Sequence, residues 1–207
     1  MITESPAVVL ATANAKKLAE LRRLVAAAGL RLTVHGLADV ADYPAPAETE
    51  PTFEGNALLK ARACVAATGL PALADDSGLA VDVLNGMPGV RSARWAGPDA
   101  TDEENNALLL RQLDDVPEER RTARFVCAMA LVLPGGAEHV RTGEMPGRLL
   151  RAPAGERGFG YDPLFVADGQ RVSNAELTGE AKDAISHRGK AVRAIIEVLT
   201  TELEGVR

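Results

Sequence analysis

At 207 residues, with 46% apolar and 25% charged residues, the chain can bury a full core as one domain or two closely joined lobes, and its composition argues against disorder. A formal net charge of −6 argues against a long nucleic acid as partner, because neutralising many phosphates takes a surplus of Lys and Arg, although a small anion in a local basic pocket is compatible. Two cysteines make neither a disulfide framework nor a zinc site, and no apolar run approaches the roughly 18 residues of a membrane span.

Val8 to Thr12 is an apolar run of strand type, and the stretch before it is no signal sequence: Ala7 to Ala11 is too short and no Lys or Arg precedes it, so a cytoplasmic protein is expected. From Ala15, Leu18, Leu21, Leu24 and Val25 recur at helical spacing until Gly29. Thr12, Ala13, Asn14, Ala15, Lys16 and Lys17 therefore join a strand to a helix, where backbone N–H groups and two lysines could cradle phosphate. The turn matches neither G-x-x-x-x-G-K-[ST] nor G-x-G-x-x-G, and Asn14 as a simple helix cap is the alternative.

Arg31 to His35 alternates like a second strand, and a Pro- and Glu-rich loop runs from Asp39 to Pro51. Thr52 then reads as the cap of a helix that buries Ala57, Leu58, Ala61 and Val65, carries Lys60 at its middle and closes at Gly69. Glu48, Glu50 and Glu54 crowd its start, which the helix dipole alone could explain. Next comes Leu73-Ala74-Asp75-Asp76-Ser77-Gly78, read as a strand ending in a tight turn. Adjacent carboxylates at the end of an apolar strand are costly unless a cation, a donor or solvent compensates them, and Mg²⁺ is one such cation. One Asp capping a turn while the other faces water is the alternative.

Thr101 to Glu104 outlines a capping box for a helix through Leu113. Phe125 to Leu133 is a long apolar strand that Pro134-Gly135-Gly136 turns back into Glu138 to Glu144. Cys64 falls in a helical and Cys127 in a strand pattern, both as buried thiols. Strands flanked by helices, with this hairpin, indicate an α/β protein with a mixed sheet covered by helices. Gly158 to Pro163 concentrates aromatics in a chain only 3% aromatic, and Phe159 could stack on a planar base or anchor a turn. Lys182, Ser186, His187 and Arg188 precede a helix from about Gly189 to Leu203; cations there oppose the dipole preference, which suggests an acceptor-rich ligand.

Five blocks in this order carry a resemblance: Thr12-x-Asn14-x-x-Lys17, Thr52-Phe53-x-x-Asn56-Ala57-x-x-Lys60-Ala61, Ala74 to Leu79 with Pro88-Gly89 and Ser92-Ala93-Arg94, Gly158 to Pro163, and Ala184 to Gly189. Together they resemble the non-canonical purine nucleoside triphosphate pyrophosphatase family, the Ham1-like group that removes dITP, ITP and XTP, over residues from about 8 to 200. The resemblance implies one domain spanning residues 1–207, an elongated mixed α/β fold of two lobes with the active-site cleft between them, and a homodimer. It implies hydrolysis of the α-β phosphoanhydride to a monophosphate and pyrophosphate. By the same token Thr12 to Lys17 and Lys60 would contact the triphosphate, Asp76 would be the general base, Glu48 and Asp76 would hold Mg²⁺, and Ser77 would touch substrate. Phe159, Gly160, Tyr161, Asp162, Lys182, His187 and Arg188 would form the purine and sugar pocket.

Hypoxanthine and xanthine carry an O6 acceptor where adenine carries an amine, so cationic donors such as Arg188 or Lys182 would favour them over adenine. The chain departs from the family pattern at Ala13 and Glu50, which are usually Gly, and at Gly55, often Glu; of Glu48, Glu50 and Glu54, the resemblance implies Glu48 as the metal ligand, because its spacing to Lys60 matches the family. Two other readings are a Maf-like pyrophosphatase, which would carry an Arg-rich first turn, and a non-catalytic nucleotide sensor.

Overall fold

A computed structural model describes residues 6–40 and 42–204, the side chains of Lys16 and Glu204 excepted. Strand β1 (Ala7–Leu10) buries Val8, Val9 and Leu10 almost completely, which is what an uninterrupted apolar run does when both faces of a parallel strand are covered. Helix α1 (Ala15–Ala27) follows, and Gly29 leaves it with a φ of +71°, a conformation for which glycine carries no side-chain penalty. Strand β2 (Thr33–His35) is shorter than the alternation from Arg31 predicts. Helix α2 (Phe53–Thr68) is capped by Thr52, whose Oγ1 accepts from Gly55 N at 3.1 Å, and ends at a left-handed Gly69, as expected from the sequence.

Strand β3 (Ala72–Val81) corrects the expected turn at Ser77-Gly78: the strand runs straight through. Leu79 and Val81 are fully buried beyond it, so the apolar pattern resumes and keeps the chain extended. Gly78 serves a close approach instead. A Cβ there would lie 2.4 Å from Ser92 Oγ and 2.6 Å from Gly89 O, and that same Ser92 Oγ accepts from Leu79 N at 2.8 Å.

Helix α3 (Asp102–Gln112) starts in the expected capping box, with Glu104 N on Thr101 Oγ1 at 3.2 Å and Thr101 N on Glu104 Oε2 at 2.8 Å. Strand β4 (Thr122–Val132) and strand β5 (Glu138–Leu149) both run longer than predicted. After β6 (Phe165–Ala167), helix α4 (Gly179–Ile185) carries Lys182, and α5 (His187–Glu204) begins two residues earlier than expected, with Gly189 N bonded to Ser186 Oγ at 2.9 Å.

The fold is α/β: a mixed six-stranded sheet in the order β2-β1-β3-β4-β5-β6, flanked by helices. Strand β1 pairs parallel with β2 and with β3, while β5 and β6 are antiparallel. The chain divides into two compact units, one of Met1–Asp76, Ala128–Thr142 and Lys190–Arg207, the other of Ser77–Cys127 and Gly143–Gly189. The first has a core of small residues, Ala57 and Ala61 of α2 against Ala74, Ala128 and Ala130, which lets the helix lie close on the strands. The second is built on larger side chains, among them Leu109, Leu113, Phe125, Met145 and Phe165. Cys64 and Cys127 are both buried and form no disulfide. Among the described residues no helix is long and apolar enough to cross a membrane.

Candidate active site

In the first unit, the turn from β1 to α1 is tied by short-range hydrogen bonds: Asn14 N donates to Thr12 Oγ1 at 3.2 Å and Lys17 N to Asn14 Oδ1 at 3.3 Å. Asn14 thus caps α1, while Ala13, Asn14 and Ala15 stay exposed at the helix N-terminus, whose partial positive charge favours an anion. Capping and anion binding coexist in this turn. The side chain of Lys16, a predicted phosphate contact, lies outside the described atoms.

Successive residues on a strand point to opposite faces, and this separates the two adjacent acids of β3. Asp75 Oδ2 accepts from Lys17 Nζ at 2.7 Å, and its side chain is only 1% exposed. Asp76 is served from α2: its Oδ1 accepts from Lys60 Nζ at 3.0 Å and its Oδ2 from Asn56 Nδ2 at 3.2 Å. Lys60 Nζ also donates to Glu48 Oε1 at 3.0 Å, so one ammonium sits between two carboxylates. The repulsion expected between Asp75 and Asp76 is met by giving each its own lysine.

Burial pushes the Asp76 carboxyl above the usual carboxylate range; the Glu48 charge adds to this, and Lys60 and Asn56 oppose it without cancelling it. Burial alone would lower the Lys60 ammonium, but Asp76 and Glu48 beside it outweigh burial and hold it above the ordinary lysine value. The two directions agree, since a group of two acids and one base carries a surplus negative charge.

Of the three acids crowding α2, Glu48 is the one on Lys60. Glu50 does something else: a Cβ at Gly55 would fall 2.7 Å from Glu50 Cβ and 3.0 Å from its Cγ. Two of the three departures from the family pattern, Glu50 and Gly55, are thus one feature, an acid at position 50 filling the space that a side chain at 55 would need. Asn56, on the same helical face as Lys60 and fully buried, supports both ends of the arrangement, since its Oδ1 accepts from Glu50 N at 3.0 Å. Its role was missed in the sequence, although a polar residue on the apolar side of α2 signals one.

No group of three or more His, Cys, Asp or Glu side chains is arranged to hold a metal among the described residues. Two carboxylates about a single ammonium nevertheless form the hard-oxygen set that Mg²⁺ takes when substrate phosphates and water complete its octahedron. The residues therefore fit a cation shared with substrate rather than one caged by protein. Ser77 follows on β3, half-buried.

In the second unit, Phe159 is 68% exposed, unusual for a large apolar residue, with Lys182 Nζ 4.9 Å from its ring centroid. Asp162, 2% exposed, gathers this region: it accepts from Lys182 Nζ at 2.5 Å, Phe159 N at 3.0 Å and Asn174 Nδ2 at 3.3 Å. Gly158 must lack a side chain, because a Cβ would lie 2.3 Å from Asp162 Oδ2 and its φ is +80°. Tyr161 is buried, its hydroxyl donating to Ser92 O at 2.8 Å. His187 stacks on Phe125 with centroids 5.0 Å apart and planes inclined by 13°, and Arg188 beside it is half-buried. Asn174 and the α3 residues that reach Gly160, described below, had no signal in the sequence.

A family model described as the Ham1 family matches residues 8–198. The chain is 58% identical over 200 residues to a dITP/XTP pyrophosphatase of Cutibacterium acnes, covering 96% of this chain and 98% of the relative. It is 62% identical over 193 residues to a dITP/XTP pyrophosphatase of Nocardia farcinica, covering 93% and 94%. Among solved structures, a nucleoside-triphosphatase and dITP/XTP pyrophosphatase from Mycobacterium abscessus superposes with a TM-score of 0.82 at 52% identity, covering 93% of this chain and 99% of that one. A HAM1 protein from Coxiella burnetii gives 0.86 at 40% identity, covering 95% and 99%.

Proposed function

The chain belongs to the Ham1 family, and from that premise we propose that residues 1–207 form one Mg²⁺-dependent pyrophosphatase that hydrolyses dITP, ITP and XTP to the nucleoside monophosphate and pyrophosphate. The observation that carries the reading is the bridge of Lys60 Nζ between Asp76 and Glu48, at 3.0 Å to each. It supplies an organised cation and two carboxylates at one point, as phosphoanhydride cleavage requires.

The first unit is assigned the triphosphate. Attack of water on the α-phosphorus breaks the bond to the bridging oxygen, and pyrophosphate leaves with the bond's electrons. Asp76 accepts the water's proton: an ionised carboxylate offers about four acceptor positions, and Lys60 and Asn56 occupy two. Its raised proton affinity makes it a stronger base than an ordinary surface aspartate. Lys17 and the N-terminus of α1, with Thr12 and Asn14, hold the phosphate oxygens. Bound by Glu48 and Asp76, Mg²⁺ would polarise phosphate oxygens and offset charge on the leaving group.

The second unit is assigned the base. Phe159 offers an exposed stacking face, and Lys182, with one of its three donors on Asp162, keeps others for the O6 of hypoxanthine or xanthine. Adenine would present an amine to that donor and leave it unpaired. His187 and Arg188 complete the base and sugar contacts. The active form is taken as a cytoplasmic homodimer, in keeping with the family resemblance and the two buried cysteines outside any disulfide. Product analysis after incubation of the purified protein with dITP and Mg²⁺ tests the reaction: dIMP and pyrophosphate in equal amounts are expected, and orthophosphate as the first product would contradict it.

A further inference from the structure

Phe159 is barely held by packing, so the direction of its ring depends on its backbone, and that backbone is tied by helix α3. Asp102 and Asn106 lie one turn apart on the same helical face. Asp102 Oδ2 accepts from Gly160 N at 2.6 Å, and Asn106 Nδ2 donates to Gly160 O at 2.9 Å. The two side chains grip both polar groups of a residue that sits at φ +60°, a conformation a free chain visits only as one of many. A cavity of about 360 Å³ opens beside the loop, lined by Asp102, Asn106, Leu110, Phe159, Gly160 and Pro163 among others. An apolar residue that is 68% exposed next to such a cavity gains by turning its ring into it, because apolar burial is favourable.

From this geometry we infer that Asp102 and Asn106 are positioning residues for base recognition: they hold Gly160 so that Phe159 stays out as a stacking platform. The inference rests on the pyrophosphatase reading and adds to it two residues that touch neither phosphate nor metal ligand. Asn106 shows the cost of this arrangement. Its Oδ1 is buried without a hydrogen-bond partner among the described residues, which lowers stability, yet its other amide atom is spent on the loop. Such local cost is commonest where function sets the geometry.

The test uses the full-length enzyme with Mg²⁺ and four variants: Asp102→Ala, Asp102→Asn, Asn106→Leu and Glu103→Ala. In Asp102→Ala and Asn106→Leu, KM for dITP is expected to rise roughly tenfold, the scale of one lost positioning bond, with kcat changed far less. Inhibition by inorganic pyrophosphate stays unchanged. Asn106→Leu keeps or gains thermal stability because the orphan acceptor is gone. Asp102→Asn retains an acceptor for Gly160 N and restores near-normal KM, and Glu103→Ala, which removes a charge from the same helical turn without touching Gly160, behaves as wild type. Unchanged KM in both loss variants, or an equal fall of kcat and stability across all of them including Glu103→Ala, overturns the inference. Absence of turnover by the wild-type protein would instead overturn the pyrophosphatase reading, and this inference with it.

Discussion

Lys17 Nζ stands 2.7 Å from Asp75 Oδ2, and the acid is 1% exposed while the lysine keeps 22%. The acid is sealed and the cation reaches out, so Asp75 works as an anchor that aims Lys17 from α1. Asp75→Asn keeps the shape and removes the charge. It should raise KM for dITP and the inhibition constant of pyrophosphate together, by roughly tenfold, while base preference is unchanged. Lys17→Ala removes the ammonium that pairs with a buried carboxylate, and chemical denaturation should show a loss of about 1–3 kcal/mol. A mutant with normal stability and unchanged KM would contradict the anchoring role.

Asp76 carries a stability cost with a definite sign in pH. Its carboxyl in the folded protein sits above its unfolded value because of burial, so between those two values the folded state binds more protons and stability falls as pH rises. Asp76→Asn should therefore melt higher than wild type at pH 7 without Mg²⁺. The gap should close towards acid pH, where wild-type Asp76 is protonated. The same variant should lose roughly 10²–10⁴-fold in kcat if Asp76 is the general base. Melting curves at several pH values and steady-state rates check both halves.

Asn56 donates to Asp76 Oδ2 and so favours the ionised acid. Removing it in Asn56→Ala should move the acid limb of the pH-rate profile to higher pH and cost about 1–3 kcal/mol for the buried groups left unpaired. An acid limb that stays in place would separate Asn56 from the catalytic proton.

Positions 50 and 55 should be coupled. With Glu50 present, Gly55→Ala forces a contact of 2.7 Å between Cβ atoms and should destabilise α2. In a Glu50→Gly background the clash is gone, and the same change should stabilise by about 1 kcal/mol, the helix preference for Ala over Gly. Thermal melts of the two single variants and the double variant give the sign directly.

The elements closed by local signals were legible in the chain: Thr52 and Gly69 bracket α2, and the Thr101 to Glu104 capping box starts α3, because caps are made by residues a few positions apart. The turn at Ser77-Gly78 was misread because Asp, Ser and Gly carry turn chemistry on average, whereas here Gly78 makes room for Ser92, fourteen positions on. Lys17, Lys60, Glu48 and Asp76 could be named from the ordered motifs. Which lysine serves which aspartate depends on contacts across 58 and 16 positions and on the alternation of β3, and no local pattern records that. The grip of α3 on Gly160 spans 58 and 54 positions and was invisible for the same reason.

The most direct test of the proposed activity is pyrophosphate release by the purified protein with Mg²⁺ from dITP, ITP, XTP, ATP and GTP measured side by side. Turnover of dITP, ITP and XTP well above that of ATP and GTP is the expected result; equal turnover of all five, or none, would contradict it.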